Sequence, residues 1–244
     1  MSDSAAIREV GPLALLESIP HRSNFGRWCR LAFVVLFAVG PFLFNSIRVH
    51  QTGLTIFGDR AEAGWTFAIL EEIASLFLVA YILMRCKVRW RELGIRWSLR
   101  GILVGLALAA VSYAAYWAAY HSFVAMHNAF WPTVPFQPEP SSIIGRPAPL
   151  LTLLMCINPF FEELIVRAFL MSEVKALTGS WIPAVLLSTL IQASYHIYYG
   201  WIVTIALAFQ FLVFSIFYAR RRQAVPLIVA HGYFDLYWVV LGLL

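Results

Sequence analysis

The sequence predicts an all-α fold, a polytopic transmembrane helical bundle of about seven to eight spans, and three observations carry that expectation. Hydrophobic residues make up 61% of the 244 and charged residues only 13%, a balance that would force a water-soluble domain to expose far too much oil. The apolar residues gather in runs close to the ~20 needed to cross a hydrocarbon core as a helix. Lys and Arg alternate between rich and poor connecting segments, the asymmetry that sets the orientation of membrane helices.

Residues 1–29 read as a cytoplasmic N-terminal lead. They mix Arg8, Glu9, Pro12, Glu17 and Pro20 with no compact apolar core and cleavage site, so no removable signal peptide is expected and the first span acts as the uncleaved insertion signal. Residues 30–244 read as a single transmembrane domain without an internal repeat. The first span runs from about Arg30 to Ile47 with Pro41 as a tolerated kink. The second covers roughly Trp65 to Met84 and the third roughly Gly101 to Met126. A loop holding Pro132, Pro135, Pro138, Pro140, Pro147 and Pro149 follows, too rich in proline to be helical and long enough to cover or gate something. A fourth span starts near Leu150, Trp181 to Tyr199 makes a fifth, Trp201 to Ala219 a sixth and Ala224 to Leu244 a seventh. Only Gly200 separates the fifth from the sixth, so the two are expected to form a tight antiparallel hairpin.

Counting Lys and Arg fixes the expected orientation. Arg22, Arg27 and Arg30 precede the first span, Arg85, Lys87, Arg89, Arg91, Arg96 and Arg100 separate the second from the third, and Arg220, Arg221 and Arg222 follow the sixth. The intervening loops hold Arg48 with Arg60, and then Arg146. The chain is thus expected to be an integral membrane protein with its N-terminus cytoplasmic and its C-terminus outside. The formal charge of +5 sits in these flanking runs, so membrane lipids and not nucleic acid are the expected neighbours. Cys29, Cys86 and Cys156 show no metal spacing and cannot all pair. Cys29 and Cys86 lie where palmitoylation is open to a juxtamembrane thiol, although a reduced, buried or interfacial thiol is the simpler reading.

Against this background the polar residues of the last three spans stand out. An ionisable group at membrane depth costs at least ~2.5 to 3.5 kcal/mol, so it persists where buried partners or a reaction need it. Asn158-Pro159 is expected to break or restart the helix just before Glu162 and Glu163. Glu163 and Arg167 are four residues apart with the acid N-terminal, the better orientation for a helical ion pair. Glu162 points about 100° away and is left without a local countercharge, free to serve as a general base. A purely structural reading, in which these groups lock neighbouring helices, stays open. Glu71-Glu72 is the internal control: it is also an acidic pair in an apolar span but has no arginine at the same spacing, and a structural or interfacial role is expected there. His231 and Asp235 are four apart and share a helical face, where the carboxylate can orient the imidazole. His196 comes late in the fifth span.

These motifs resemble the CPBP intramembrane glutamic proteases, which include the CAAX prenyl endopeptidases and bacteriocin-processing Abi-like relatives. The family signature of Glu-Glu-x-x-x-Arg, Phe-x-x-x-His and His-x-x-x-Asn or Asp reads here Glu162-Glu163-Leu164-Ile165-Val166-Arg167, Gln192-Ala193-Ser194-Tyr195-His196 and His231-Gly232-Tyr233-Phe234-Asp235. Order and spacing agree over residues 158–240, inside a protease-like region at 150–244, and Gln192 replaces the usual phenylalanine. The resemblance implies that Glu162 and His196 activate a water for attack on a peptide carbonyl, that His231 with Asp235 stabilises the oxyanion, and that Glu163 and Arg167 hold the site. It implies no cofactor, a membrane-associated or lipid-modified peptide or protein as substrate, and residence in a bacterial-type inner membrane.

Two rivals remain at the level of sequence. Glu, His and Asp are competent zinc ligands, although the chain lacks His-Glu-x-x-His. A transporter or scaffold could use the same residues to relay protons or bind a peptide without cutting it. Geometry adds a further expectation. At ~1.5 Å per residue, His196 lies roughly 22 Å and His231 roughly 10 Å from the starts of their spans, so the fifth span is expected to start deeper, to tilt, or to break at Pro183.

Overall fold

The apolar runs fold as helices throughout the described residues. A computed structural model describes residues 24–52, 61–131 and 149–243, and its regular elements are all helical. The lead before residue 24 and the expected proline-rich gate lie outside them. Helices α1 (Asn24–Ala38) and α2 (Gly40–Thr52) meet at a bend of 44°. Pro41 has no N–H to offer the carbonyl four residues back, so the ladder fails where the bend falls. Helix α3 spans Ala61–Arg85 and α4 spans Leu99–Phe130. Ser98 caps α4, its Oγ accepting from the Gly101 N–H at 3.0 Å.

The acidic motif follows α5 (Pro149–Glu162), which continues through a π-helical turn (Glu163–Phe169) into α6 (Leu170–Thr178). The expected break at Asn158-Pro159 does not occur. Pro159 stays inside α5, and the departure from regular helix falls four residues later, where the Leu170 N–H bonds back to the Ile165 carbonyl. A turn widened in this way frees carbonyls from the ladder, and tertiary donors reach two of them. Ser188 Oγ donates to the Val166 carbonyl at 2.9 Å, and the Tyr218 hydroxyl approaches the Ala168 carbonyl at 3.4 Å. Every residue from Phe161 to Met171 is buried, so this stretch is the centre of the bundle.

Helices α7 (Trp181–Ser194), α8 (Trp201–Arg221) and α9 (Val225–Leu243) complete it. Four helices among the described residues are long and apolar enough to cross a membrane, or five if the bent α1–α2 pair is one span. The expected seven to eight spans are therefore not reached on helix length and composition. Part of the shortfall is α7, whose 14 residues span only ~21 Å at helical rise. It stops at Ser194, and a 3-10 turn, Ile197–Tyr199, leads to α8. The break thus falls beyond the helix and not at Pro183, which sits in the first turn where proline is tolerated. Gly105 lies where α4 packs tightly on α9: a Cβ there would stand 2.7 Å from Val229 Cβ and 2.8 Å from the Pro226 carbonyl oxygen.

One end of the bundle gathers the basic segments. Arg27 and Arg30 pair with Glu173 of α6 at 3.6 and 3.4 Å. Arg222 lies 5.0 Å from the Trp181 ring, and the Ala224 N–H donates to the Gly94 carbonyl at 3.1 Å. Gly94 adopts φ +82°, and its contact with Arg222 leaves no room for a Cβ.

Candidate active site

Ten residues separate Glu163 from Glu173 on a continuous helical path, which places the acids roughly 15 Å inward from the basic end. Gln192 lies eleven residues from Trp181 on α7, at about the same depth. The disparity between His196 and His231 is absorbed because α7 ends before His196, which is held on the turn instead. Its Nδ1 lies 2.8 Å from the Gln192 carbonyl, Thr204 Oγ1 donates to the His196 carbonyl at 3.0 Å, and the Tyr198 N–H donates to Ser46 Oγ of α2 at 3.1 Å.

The widened turn directs both neighbouring carboxylates at α9. His231 Nδ1 stands 2.8 Å from Glu163 Oε1, while its Nε2 lies 3.8 Å from Glu162 Oε2 and 3.7 Å from Asp235 Oδ1. A carboxylate only accepts, so Nδ1 of His231 carries a proton. The hydrogen bond that fixes this ring therefore comes from Glu163; Asp235, the expected orienting group, stands beyond hydrogen-bond distance. Its Oδ2 accepts from Asn158 Nδ2 at 3.0 Å. The same reasoning applies to His196: a carbonyl only accepts, so Nδ1–H donates to Gln192 and the Nε2 lone pair is left for chemistry.

Glu163 and Arg167 form the expected i to i+4 pair, Nε to Oε2 at 3.5 Å, with both side chains 0% exposed. The guanidinium carbon also lies 5.5 Å from the Phe211 ring and 5.8 Å from the Phe214 ring, whose faces attract a cation. Phe211 packs on His196 and Phe214 on His231, with ring centroids 5.1 and 6.2 Å apart. Glu162 is buried at 4% exposure and receives a hydrogen bond from Gln192 Nε2. His196 donates its Nδ1–H elsewhere but lies close enough for the charges of Glu162, His196 and His231 to act on one another.

The candidate site residues Glu162, Glu163, Arg167, His196, His231 and Asp235 thus fall in one region. Glu162, Glu163, Arg167, His231 and Asp235 form a connected cluster, and His196 flanks it within electrostatic reach. Sequence reasoning missed three neighbours. Gln192 entered only as a departure from a motif, Asn158 only as a helix breaker, and Glu72 only as a control. Glu72 is 1% exposed and feels the charges of Glu162 and Asp235. A tertiary contact between α3 and α5 brings it there, and nothing in the local spacing signals that contact. No group of three or more His, Cys, Asp or Glu side chains among the described residues is arranged to hold a metal ion.

A buried set of acids and imidazoles inside a helical membrane bundle defines a class of site suited to proton transfer and to meeting developing charge. Residues 144–237, less than half of the chain, match the model of the Rce1-like family, described as type II CAAX prenyl endopeptidase Rce1-like, which supports the resemblance drawn from the motifs. The protein is accordingly a membrane hydrolase of the protease type. No curated protein and no solved structure matches the chain.

Proposed function

We propose that the chain is an intramembrane endopeptidase that cleaves a membrane-associated peptide by carboxylate-activated water. The observation that carries this reading is the convergence of Glu162, Glu163 and His231, with His196 beside them, at one buried locus. Glu162 takes a proton from the attacking water, helped by the Nε2 lone pair of His196, and later returns it to the leaving nitrogen. His231 gives Nδ1–H to Glu163, and a proton on its Nε2 faces the oxyanion as it forms. Asp235, steadied by Asn158, lies beside that nitrogen. Glu163 and Arg167 hold the turn. The region from residue 30 onward acts as one membrane domain, with the basic end facing the cytoplasm, the N-terminus on that side and the C-terminus outside. Cysteines placed at Arg91 and Arg221 should label from the cytoplasmic face and one at Gln137 from the other. Labelling of Gln137→Cys only from the cytoplasm reverses the orientation.

The activity is tested with purified protein in lipid vesicles, offered a farnesylated peptide ending in a CAAX tetrapeptide and the same peptide unfarnesylated. Mass spectrometry should find cleavage of at least one, persisting in strong chelator and lost in His196→Ala and His231→Ala. Loss in chelator restored by Zn²⁺ favours a metalloprotease. Absence of cleavage of either peptide, or normal cleavage by both histidine variants, overturns the proposal.

A further inference from the structure

Gln192 stands where the motif usually has phenylalanine, and it touches both halves of the proposed base. Its side-chain Nε2 donates to Glu162 Oε2, while its backbone carbonyl receives Nδ1–H of His196 at 2.8 Å. The residue is 0% exposed, and its Oε1 has no hydrogen-bond partner among the described residues. Burying an amide with half of its capacity unmet is unfavourable, and a phenylalanine would avoid that cost. The helix that carries it is also pinned: one turn earlier, Ser188 Oγ bonds to the Val166 carbonyl of the widened turn at 2.9 Å. Gln192 is thereby held in register against the carboxylate it serves.

We propose that Gln192 is a positioning residue of this chain's active site, a clamp that fixes the rotamer of Glu162 and selects which of its two oxygens takes the proton. Gln192 Nε2 bonds to Oε2, from which His231 Nε2 stands 3.8 Å away, and in this proposal Oε1 is the oxygen presented to the attacking water. The amide is suited to the task because it donates without carrying charge, and it can be neither ionised nor exchanged for a repelling carboxylate without cost. Its backbone sets the tautomer of His196 at the same time, which any residue at this position can do. The side-chain role alone is therefore what substitution should remove. The inference rests on the reading of Glu162 as the base.

Two measurements on the full-length protein in lipid vesicles test it. The first is the infrared carboxyl band of Glu162, identified by its absence in Glu162→Gln, compared between wild type and Gln192→Leu. Loss of a donor should move the band, and an unmoved band overturns the clamp whether or not a substrate is cleaved. The second is the kinetics on the farnesylated CAAX peptide. Gln192→Leu should lower kcat about tenfold with KM and melting temperature unchanged, and Gln192→Glu, which sets a second carboxylate against the first, should lower kcat further. Equal rates for wild type and Gln192→Leu beside an inactive Glu162→Gln overturn the positioning role alone. A fully active Glu162→Gln overturns both that role and the base assignment beneath it.

Discussion

Two acidic pairs lie in apolar helices of this chain, Glu71-Glu72 on α3 and Glu162-Glu163 where α5 meets the π-helical turn. They differ in what surrounds them. Glu163 has Arg167 and His231, and Glu162 has Gln192. In the other pair, Glu71 Oε1 and Glu72 Oε2 are buried with no hydrogen-bond partner among the described residues; Glu163 Oε2 also lacks a hydrogen bond but faces the Arg167 guanidinium at 3.5 Å. An unmet carboxylate oxygen in a low-dielectric interior is unfavourable, whereas a paired one recovers most of that cost. The comparison teaches that an acidic pair in a membrane helix becomes a site through partners supplied by other helices. Glu72 complicates the contrast, because it shares the electrostatic environment of Glu162 and Asp235 while contributing no bond to either.

Substitutions sharpen or break that contrast. The largest effect on stability is expected for Glu163→Gln, which leaves the 0% exposed Arg167 with no carboxylate and replaces the charged acceptor of His231 by a neutral amide oxygen. Breaking a buried pair commonly costs ~3 to 5 kcal/mol, so thermal unfolding should start well below wild type, with activity lost as well. An unchanged melting temperature would show that the pair does not hold the turn. Asp235→Asn comes next: the amide can still meet Asn158 and keep the shape of the site, so cleavage should stay within about tenfold of wild type. A complete loss would make the charge of Asp235 part of the chemistry. Glu72→Gln should be smallest. Replacing an unmet carboxylate by a neutral amide should leave the melting temperature equal or slightly raised, with activity within a few-fold. If it is as inactive as the motif variants, Glu72 is no bystander and the two pairs are not distinct.

The sequence read well where chemistry is local. Glu163 and Arg167 are neighbours by helical spacing alone, and the motif order brought Glu162, His196, His231 and Asp235 into view before any fold was known. It read poorly where a feature depends on a neighbouring helix. The hydrogen bond that orients His231 comes from Glu163 and not from Asp235, although Asp235 shares its helix; the reason is the widened turn, which no spacing rule foresees. Apolar composition likewise carried the fifth span to Tyr199, since Tyr195, Ile197, Tyr198 and Tyr199 look like more of the same helix. The chain instead turns there, with the Tyr198 N–H bound to Ser46 of α2, a partner some 150 residues away in sequence. Pro159 misled in the opposite direction, because it stays inside α5 and the departure from regular helix comes only at Glu163.

The central claim is that two adjacent carboxylates divide into one that does chemistry and one that holds the site. The most direct test is the cleavage rate of Glu162→Gln on the farnesylated CAAX peptide, measured beside its melting temperature. The amide keeps size and hydrogen bonding but cannot take a proton, so the rate should fall by at least ~10²-fold while the melting temperature stays at the wild-type value. A Glu162→Gln protein that cleaves at the normal rate, next to a Glu163→Gln protein that is folded and inert, would exchange the two roles and contradict the account.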